Sequence, residues 1–286
     1  MLEGIIIKGI GGFYYVKTES GVYECKARGI FRKRKITPTV GDRAEISVLD
    51  GKGSIENIAD RKNSLIRPPV ANIDILLIVV AAASPDPSLY LIDRMLVTAE
   101  KNSVKPVICI NKTDIEKRED IKRIYESAGY SVVCVSASRG ENMDTLKSII
   151  SGRITAFAGL SGVGKSTLLN ILTNERPKTG GLSEKINRGK HTTRHVELME
   201  LDGGGYVFDT PGFSSVELSG IKANELYMYF PEIAKYEGEC RFSGCVHIHE
   251  PDCAVKAALE NGDISNERYE SYCSLYEELK KIKEWK

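Results

Sequence analysis

No stretch of this chain is apolar for long enough to cross a bilayer as a helix. The longest apolar run is the nine residues Ile75 to Ala83, with Asp74 just before it, and a spanning helix needs about 20. Tryptophan occurs once, histidine four times, and the net charge over 286 residues is only +1. The chain as a whole is no polycation, so any affinity for nucleic acid has to come from a local patch. A 42% hydrophobic and 28% charged composition, without repeats or low-complexity segments, excludes a disordered, collagen-like or coiled-coil chain. The opening residues, MLEGIIIKGIGG, carry an acid at Glu3 and no long apolar segment before a small-residue cleavage site. No signal peptide is expected, and the expected protein is cytoplasmic, without a membrane partner. In that reducing compartment seven cysteines, an odd number, are not expected to pair as disulfides.

What is present is unevenly spread. Cys240, Cys245 and Cys253 crowd into one 14-residue window, whereas Cys25, Cys109, Cys134 and Cys273 are scattered. The histidines fall in two windows, His191 with His195 and His247 with His249. Such clustering points to two sites. A chain of this length reaches the limit of one hydrophobic core, so two or three domains are expected.

The boundaries read as 1–66, 67–220 and 221–286. Runs such as GIIIKGI, GFYYVKT, GVYECKA and DRAEISVLD, parted by glycines and turn signals, predict five short strands in a barrel of the oligonucleotide-binding type. Residues 1–65 carry 12 Lys and Arg against 8 Asp and Glu. Five of those cations, Arg28, Arg32, Lys33, Arg34 and Lys35, surround Phe31. Barrels that bind RNA use charged grooves and aromatic stacking platforms; a basic run is otherwise an ordinary solvated face, and the sequence does not say which barrel residues would touch RNA. Arg67-Pro68-Pro69 reads as a linker.

Beyond the linker, strands alternate with helices. Strands are expected at Ile73–Ala83, Pro106–Ile110, Ser131–Val135 and Ile154–Ala158. Helices are expected near Leu89–Lys101, Asp120–Ala128 and Asn142–Ile150, with a further one opening at Gly164–Lys165. That alternation implies a doubly wound, mostly parallel sheet covered on both faces, so the fold class is multi-domain α/β. After Lys222 no strand is expected. Glu225–Tyr229 reads as a helix, and Tyr269, Tyr272, Tyr276 and Leu279, at helical spacing, read as a terminal helix packing on its own domain.

Gly159-Leu160-Ser161-Gly162-Val163-Gly164-Lys165-Ser166 matches the phosphate-loop pattern, between the apolar strand ITAFA and the helical run TLLNIL. Its glycines let successive N–H groups turn inward on a β-phosphate, and the helix N-terminus adds its positive end. Lys165 is placed to bridge β- and γ-phosphate oxygens, and Ser166 offers a hydroxyl to Mg²⁺.

Asn111-Lys112-Thr113-Asp114 follows the strand PVICI. The Asp114 carboxylate can accept both guanine donors, the ring N1–H and the 2-amino group. Adenine would leave it unpaired, a discrimination of ~10⁴ or more. Asn111 can tie this loop to the phosphate loop, and Lys112 can lay its stem along the base. Ser136-Ala137-Ser138, after the strand SVVCV, can give a backbone N–H to the guanine O6.

Asp209-Thr210-Pro211-Gly212 follows the strand GYVFD. Asp209 can hold Mg²⁺ through a water, and the Gly212 N–H can face the γ-phosphate. Upstream, in Gly189-Lys190-His191-Thr192-Thr193-Arg194-His195, Thr193 can complete the Mg²⁺ shell in a loop ordered by the γ-phosphate. Phe213 stands where a water-orienting glutamine is usual, and His191 is the candidate to replace that function.

Cys240, Cys245 and Cys253, with either His247 or His249, supply three thiolates and an imidazole. That is a closed tetrahedral set, the signature of structural zinc without catalysis.

The nucleotide motifs run NKTD, SAS, GLSGVGKS, GKHTT, DTPG, a circular permutation of the usual GTPase order. With the barrel before them and the Cys/His window after, the whole chain resembles the circularly permuted GTPases that depend on the small ribosomal subunit, the RsgA, YjeQ or YloQ family. The resemblance implies GTP hydrolysis to GDP, stimulated by the small (30S) subunit, in late maturation of that subunit, with contact to its rRNA. It assigns nucleotide roles to Asn111, Lys112, Asp114 and Gly159 through Thr167, and structural zinc to Cys240, Cys245, His247 and Cys253. The family's GRHTT loop carries Lys190 here in its second position, which keeps the charge. Two other classes remain distinguishable. NKTD argues against a P-loop kinase or ATPase, and a nucleic-acid module with a vestigial nucleotide site would show no GTP turnover to lose.

Overall fold

The computed structural model describes residues 1–66, 68–173, 196–209, 218 and 220–281, with the backbone alone for Ile66 and Asp209. His191, Thr193, Gly212 and Phe213, and the Asp209 side chain, lie outside this description. The described residues separate into two compact units, one drawn from 1–75, 147–157 and 166–210, the other from 76–146, 158–165 and 211–286.

In the first unit, β1 (Leu2–Ile10), β2 (Phe13–Thr18), β3 (Gly21–Ala27), β4 (Arg43–Leu49) and β5 (Lys52–Ile58) close into a barrel in the order β1-β2-β3-β5-β4. Every pairing is antiparallel except β3 with β5. This is the expected five-stranded barrel. Alternation along the strands turns Ile6, Val16, Cys25, Ala44, Ile46 and Ile55 inward, as the two-residue period of a strand requires. The basic cluster straddles α1 (Gly29–Lys33), a short helix between β3 and β4. Phe31 is its one buried residue, 4% exposed, and fills the barrel core. The aromatic beside the basic run is thus a core residue, because a one-turn helix has a single apolar face and the core claims it.

The expected linker is also different in the structure. β6 (Ser64–Ile66) and β7 (Pro69–Ala71) form a two-stranded antiparallel hairpin across Arg67 and Pro68. Pro69 is tolerated as the first residue of an edge strand, where its missing N–H removes no ladder bond. The hairpin is fastened to the barrel. Ala71 N–H donates to the Val40 carbonyl at 2.9 Å, and Asn72 Nδ2 donates to the Gly41 carbonyl at 3.0 Å. Gly41 has φ +92°, and a Cβ there would collide with the Ala71 carbonyl. Beside them the fully buried Asp42 accepts Arg61 Nε at 2.7 Å and Nη2 at 2.8 Å.

A six-stranded sheet has the order β10-β9-β8-β11-β13-β12. Its strands are β8 (Ile75–Ala81), β9 (Lys105–Asn111), β10 (Ser131–Cys134), β11 (Ile154–Ala158), β12 (Met199–Glu200) and β13 (Tyr206–Asp209). β8 and β11 are buried at every position, as continuous apolar runs in a parallel sheet must be. β10 runs parallel to β9 and β13 parallel to β11, with β12 an antiparallel edge. The helices are α2 (Leu89–Lys101), α3 (Glu119–Ser127), α4 (Met143–Ile150) and α5 (Lys165–Leu172). Asn111, Ala158 and Asp209 are the last residues of their strands, the ends at which such sheets collect ligands.

After residue 221 the described residues contain no strand, as expected. A 3₁₀ helix spans Ala223–Tyr229, followed by α6 (Pro231–Ala234), α7 (Ala254–Glu260) and α8 (Asn266–Lys281). Leu226, Phe230, Ile233, Val255, Tyr272 and Leu275 pack with Val97 of α2 into one core. Through that core runs a buried charge network. Arg268 on α8, 1% exposed, donates Nε to Glu232 at 2.6 Å and Nη1 to Asp93 of α2 at 2.5 Å. Its guanidinium also lies over the Phe230 ring at 4.5 Å. Removing one partner of such a network leaves uncompensated charge in the interior. Arg268→Ala is expected to lower the unfolding free energy by about 3–5 kcal/mol, read from urea denaturation. An unchanged midpoint would show that the network contributes nothing.

Candidate nucleotide site and metal centre

β9 delivers Asn111, 2% exposed, to the end of the sheet. Its Nδ2 donates to the Val163 carbonyl at 2.9 Å, and its Oδ1 accepts the Ala137 N–H at 3.1 Å. One side chain thus pins the NKTD loop to the phosphate loop on one side and to the SAS loop on the other. The fit is close. Gly164 has φ +98°, and a Cβ there would run into Asn111 Nδ2, so only glycine lets the phosphate loop approach this amide.

The chain then turns through Lys112 in the left-handed region, φ +66°. Lys112 Nζ donates to the Ser84 carbonyl, and Asp114 faces the SAS loop. Asp114 Oδ1 accepts the Ser136 hydroxyl at 2.6 Å, and Oδ2 faces the Ser138 hydroxyl at 3.3 Å. The Ser136 hydrogen bond is the main reason the Asp114 carboxyl is held below the usual aspartate range, so it is an acceptor at neutral pH.

The phosphate loop, Gly159 to Gly164, leaves the wholly buried β11 and enters α5 at Lys165. Val163, 2% exposed, anchors the loop from beneath. Lys165 Nζ donates to the Gly159 and Leu160 carbonyls at 2.9 and 2.8 Å. Ser166 and Thr167 follow, exposed, in the first turn of α5. The residues from NKTD, SAS and the phosphate loop converge as their spacing suggested. Thr193, His191 and Gly212 lie outside the described residues.

The Cys/His window forms a second centre. One ligand atom from each of Cys240, Cys245, His247 and Cys253 lies within 4.8 Å of all the others. Cys240 Sγ is 3.8 Å from Cys253 Sγ, and His247 Nδ1 is 3.5 Å from both. A tetrahedral Zn²⁺ with Zn–S about 2.3 Å and Zn–N about 2.0–2.1 Å spaces neighbouring sulfurs about 3.8 Å apart, and sulfur from nitrogen about 3.5 Å. The donor set and its spacing therefore fit zinc. His249 is exposed and stands outside the cluster, so between the two histidines left open by spacing the geometry favours His247. Backbone N–H groups of Val246, Ile248 and His249 point at the Glu250 carboxylate at 3.0–3.1 Å. Burial raises its pKa, yet these donors overcome burial and bring it down to about 2.

A family model described as RsgA GTPase matches residues 58–219, and one described as RsgA N-terminal domain matches residues 3–55. The chain belongs to the RsgA GTPase family. It is 51% identical, over 98% of its length and 96% of the relative's, to a protein of Caldanaerobacter subterraneus named small ribosomal subunit biogenesis GTPase RsgA. A Geobacillus protein of the same name is 48% identical, with 99% of each chain covered. The crystal structure of YjeQ from Thermotoga maritima superposes with a TM-score of 0.83 at 40% identity, covering 99% of each chain. That of YloQ, described as a circularly permuted GTPase, gives 0.84 at 40% identity, covering 100% of this chain and 97% of that one.

Within this RsgA-family chain some supporting groups were not visible in sequence. The Ser84 carbonyl that holds Lys112 is backbone, and its only signal was the Pro-rich turn Ser84–Pro87 at the end of β8. Tyr269 and Tyr272 read as packing residues, and they do pack, but their hydroxyls also donate to the His247 and Val246 carbonyls at 2.7 and 2.8 Å. His247 has φ +63°, and these two bonds fix the backbone on which that ligand rides.

Proposed function

We propose that the chain hydrolyses GTP to GDP and phosphate in the late maturation of the small ribosomal subunit, with turnover stimulated by that subunit. The observation that carries the nucleotide part is Asn111. It bonds the Val163 carbonyl and the Ala137 N–H at once, which sets a guanine reader and a phosphate cradle at a fixed separation. In this reading Asp114 accepts the guanine donors, Lys112 and Thr113 shape the base-binding loop, and the Ala137 region, with Ser136 and Ser138, meets the O6 edge. Gly159, Leu160, Ser161, Gly162, Val163 and Gly164 supply backbone N–H groups to the phosphates. Lys165 exchanges the Gly159 and Leu160 carbonyls for β- and γ-phosphate oxygens.

Mg²⁺ arriving with GTP would neutralise charge on the phosphate oxygens, and Ser166, Thr193 and, through a water, Asp209 would hold it. Gly212 would sense the γ-phosphate, and His191 would orient water. Cys240, Cys245, His247 and Cys253 would hold a structural zinc. Units 1–66, 67–220 and 221–286 would serve as rRNA-binding barrel, GTPase and zinc domain, the first boundary falling inside the β6–β7 hairpin. No helix among the described residues is long and apolar enough to cross a membrane, and a cytoplasmic site of action is part of the proposal.

The test is GTP turnover with and without purified small subunits across a salt series. Slow turnover alone, strong stimulation by subunits that falls steeply with salt, and loss of turnover in Lys165→Ala are expected. ATP should fail to compete. A rate indifferent to subunits would remove the partner assignment, and equal competition by ATP would remove the guanine assignment.

A further inference from the structure

Asp114 has two carboxylate oxygens, and two hydroxyls attend to them unequally. Ser136 is fully buried. Its oxygen accepts the Arg139 N–H at 3.3 Å, and its proton is committed to Asp114 Oδ1 at 2.6 Å. Ser138 is exposed. Its oxygen lies 3.3 Å from Asp114 Oδ2 and 3.0 Å from the Ser136 oxygen. A hydroxyl has one proton to give. Since the Ser136 proton is spent on Oδ1, the Ser138 proton has two acceptors within the protein, Oδ2 and the Ser136 oxygen. Asp114's own backbone N–H also bonds its carboxylate, and among the described side chains the next donor towards Oδ2 is the Arg139 guanidinium at 3.9 Å, too far for a hydrogen bond.

We propose that Ser138 is a positioning residue for base specificity, a hydroxyl rotor that fills Asp114 Oδ2 whenever the base does not. This rests on the reading of Asp114 as the guanine acceptor. A guanine base presents two donors, N1–H to Oδ1 and the 2-amino group to Oδ2. The Ser138 proton then swings to the Ser136 oxygen, and no donor is stranded. A hypoxanthine base presents N1–H alone. The Ser138 proton stays on Oδ2, and the carboxylate remains fully paired.

The consequence is a softened rejection of inosine nucleotides. Discrimination against a ligand lacking one donor comes from the acceptor it leaves unpaired, and the Asp114 side chain is only 14% exposed, so an unpaired oxygen there is only partly compensated by water. Ser138 supplies the missing donor. Without its hydroxyl, hypoxanthine would strand Oδ2 while guanine would not.

The experiment measures GDP and inosine diphosphate affinities of the full chain by competition against a fluorescent GDP analogue. It compares wild type, Ser138→Ala, Ser138→Ala with Arg139→Ala, and Ser138→Thr. Ser138→Ala should raise the preference for GDP over inosine diphosphate at least about threefold, near the lower end of what one net hydrogen bond contributes. The double variant removes Arg139 as a stand-in donor and should show at least the same rise. Ser138→Thr keeps the hydroxyl and should restore the wild-type ratio. A general loosening of the loop would weaken both ligands alike and leave the ratio fixed. A ratio within twofold of wild type in both alanine variants, or a lower one, overturns the proposal. Failure of the underlying reading looks different: wild type would then bind GDP no better than ADP.

Discussion

Asp114→Asn is expected to turn a guanine site into a xanthine site. The physical reason is the donor pattern around one carboxylate. Two oxygens that only accept face two base donors. Asparagine keeps one acceptor and puts an N–H₂ donor in place of the other. The Ser136 hydroxyl fixes which is which, since its proton at 2.6 Å from Oδ1 needs an acceptor there and the amide must turn its oxygen inward. The amide nitrogen then takes the Oδ2 position, where the 2-amino group of guanine would meet another donor. Xanthine carries a carbonyl at that carbon and fits. GTP affinity should fall by ~10⁴, the penalty for facing unpaired or like polar groups in a site built to bond, while xanthosine triphosphate should bind better than it does to the wild type. Competition binding of the two triphosphates reads this directly. Retention of the GTP preference would mean that Asp114 is not the base reader. The fold should not suffer, because the side chain is isosteric and its Ser136 bond survives.

Legibility from sequence followed the chemistry. The phosphate loop and NKTD were visible because each needs fixed residue types at fixed spacing, and each stood at the end of an apolar strand that could be recognised independently. The Cys/His ligands were visible for the same reason, although choosing His247 over His249 on residues alone needed the fold. Partners that meet only in three dimensions were not visible. Asp93 and Glu232 lie 175 and 36 residues from Arg268, and each reads in sequence as an ordinary surface charge. The place of Phe31 was not legible, because a basic run surrounds it in sequence while one residue of a five-residue helix faces the core. Arg67-Pro68-Pro69 was misjudged because proline excludes only a central strand, not the first position of an edge strand. The Ser138 rotor depends on hydroxyl distances of 3.0 and 3.3 Å, which no motif encodes.

Removal of zinc is the second large effect, and the structure says where it should be felt. Between Glu239 and Cys253 the described residues form no helix or strand, so in the proposed zinc-bound form this segment would hold its shape through the four proposed ligands, with Glu250, the Arg241–Asp252 pair and the two tyrosines beside them. Zinc in peptide sites contributes about 10–16 kcal/mol at neutral pH. If even a third of that stabilises the folded chain, a shift of roughly 2–4 °C per kcal/mol predicts a fall in Tm of about 10 °C on chelation under reducing conditions. Cys253→Ala should do the same, since Cys253 is both a proposed zinc ligand and the residue that opens α7. The loss should stay local. α8 is tied to α2 by Arg268 on Asp93 and by Arg94 on Glu278, bonds that do not pass through the metal. Limited proteolysis of the stripped protein should therefore cut first between residues 236 and 253, while α2 and α8 stay protected. A chain that carries no zinc as isolated, with the same Tm before and after chelation, would remove the metal from the account. Simultaneous exposure of α2 would show that the charge network cannot hold the helices without it.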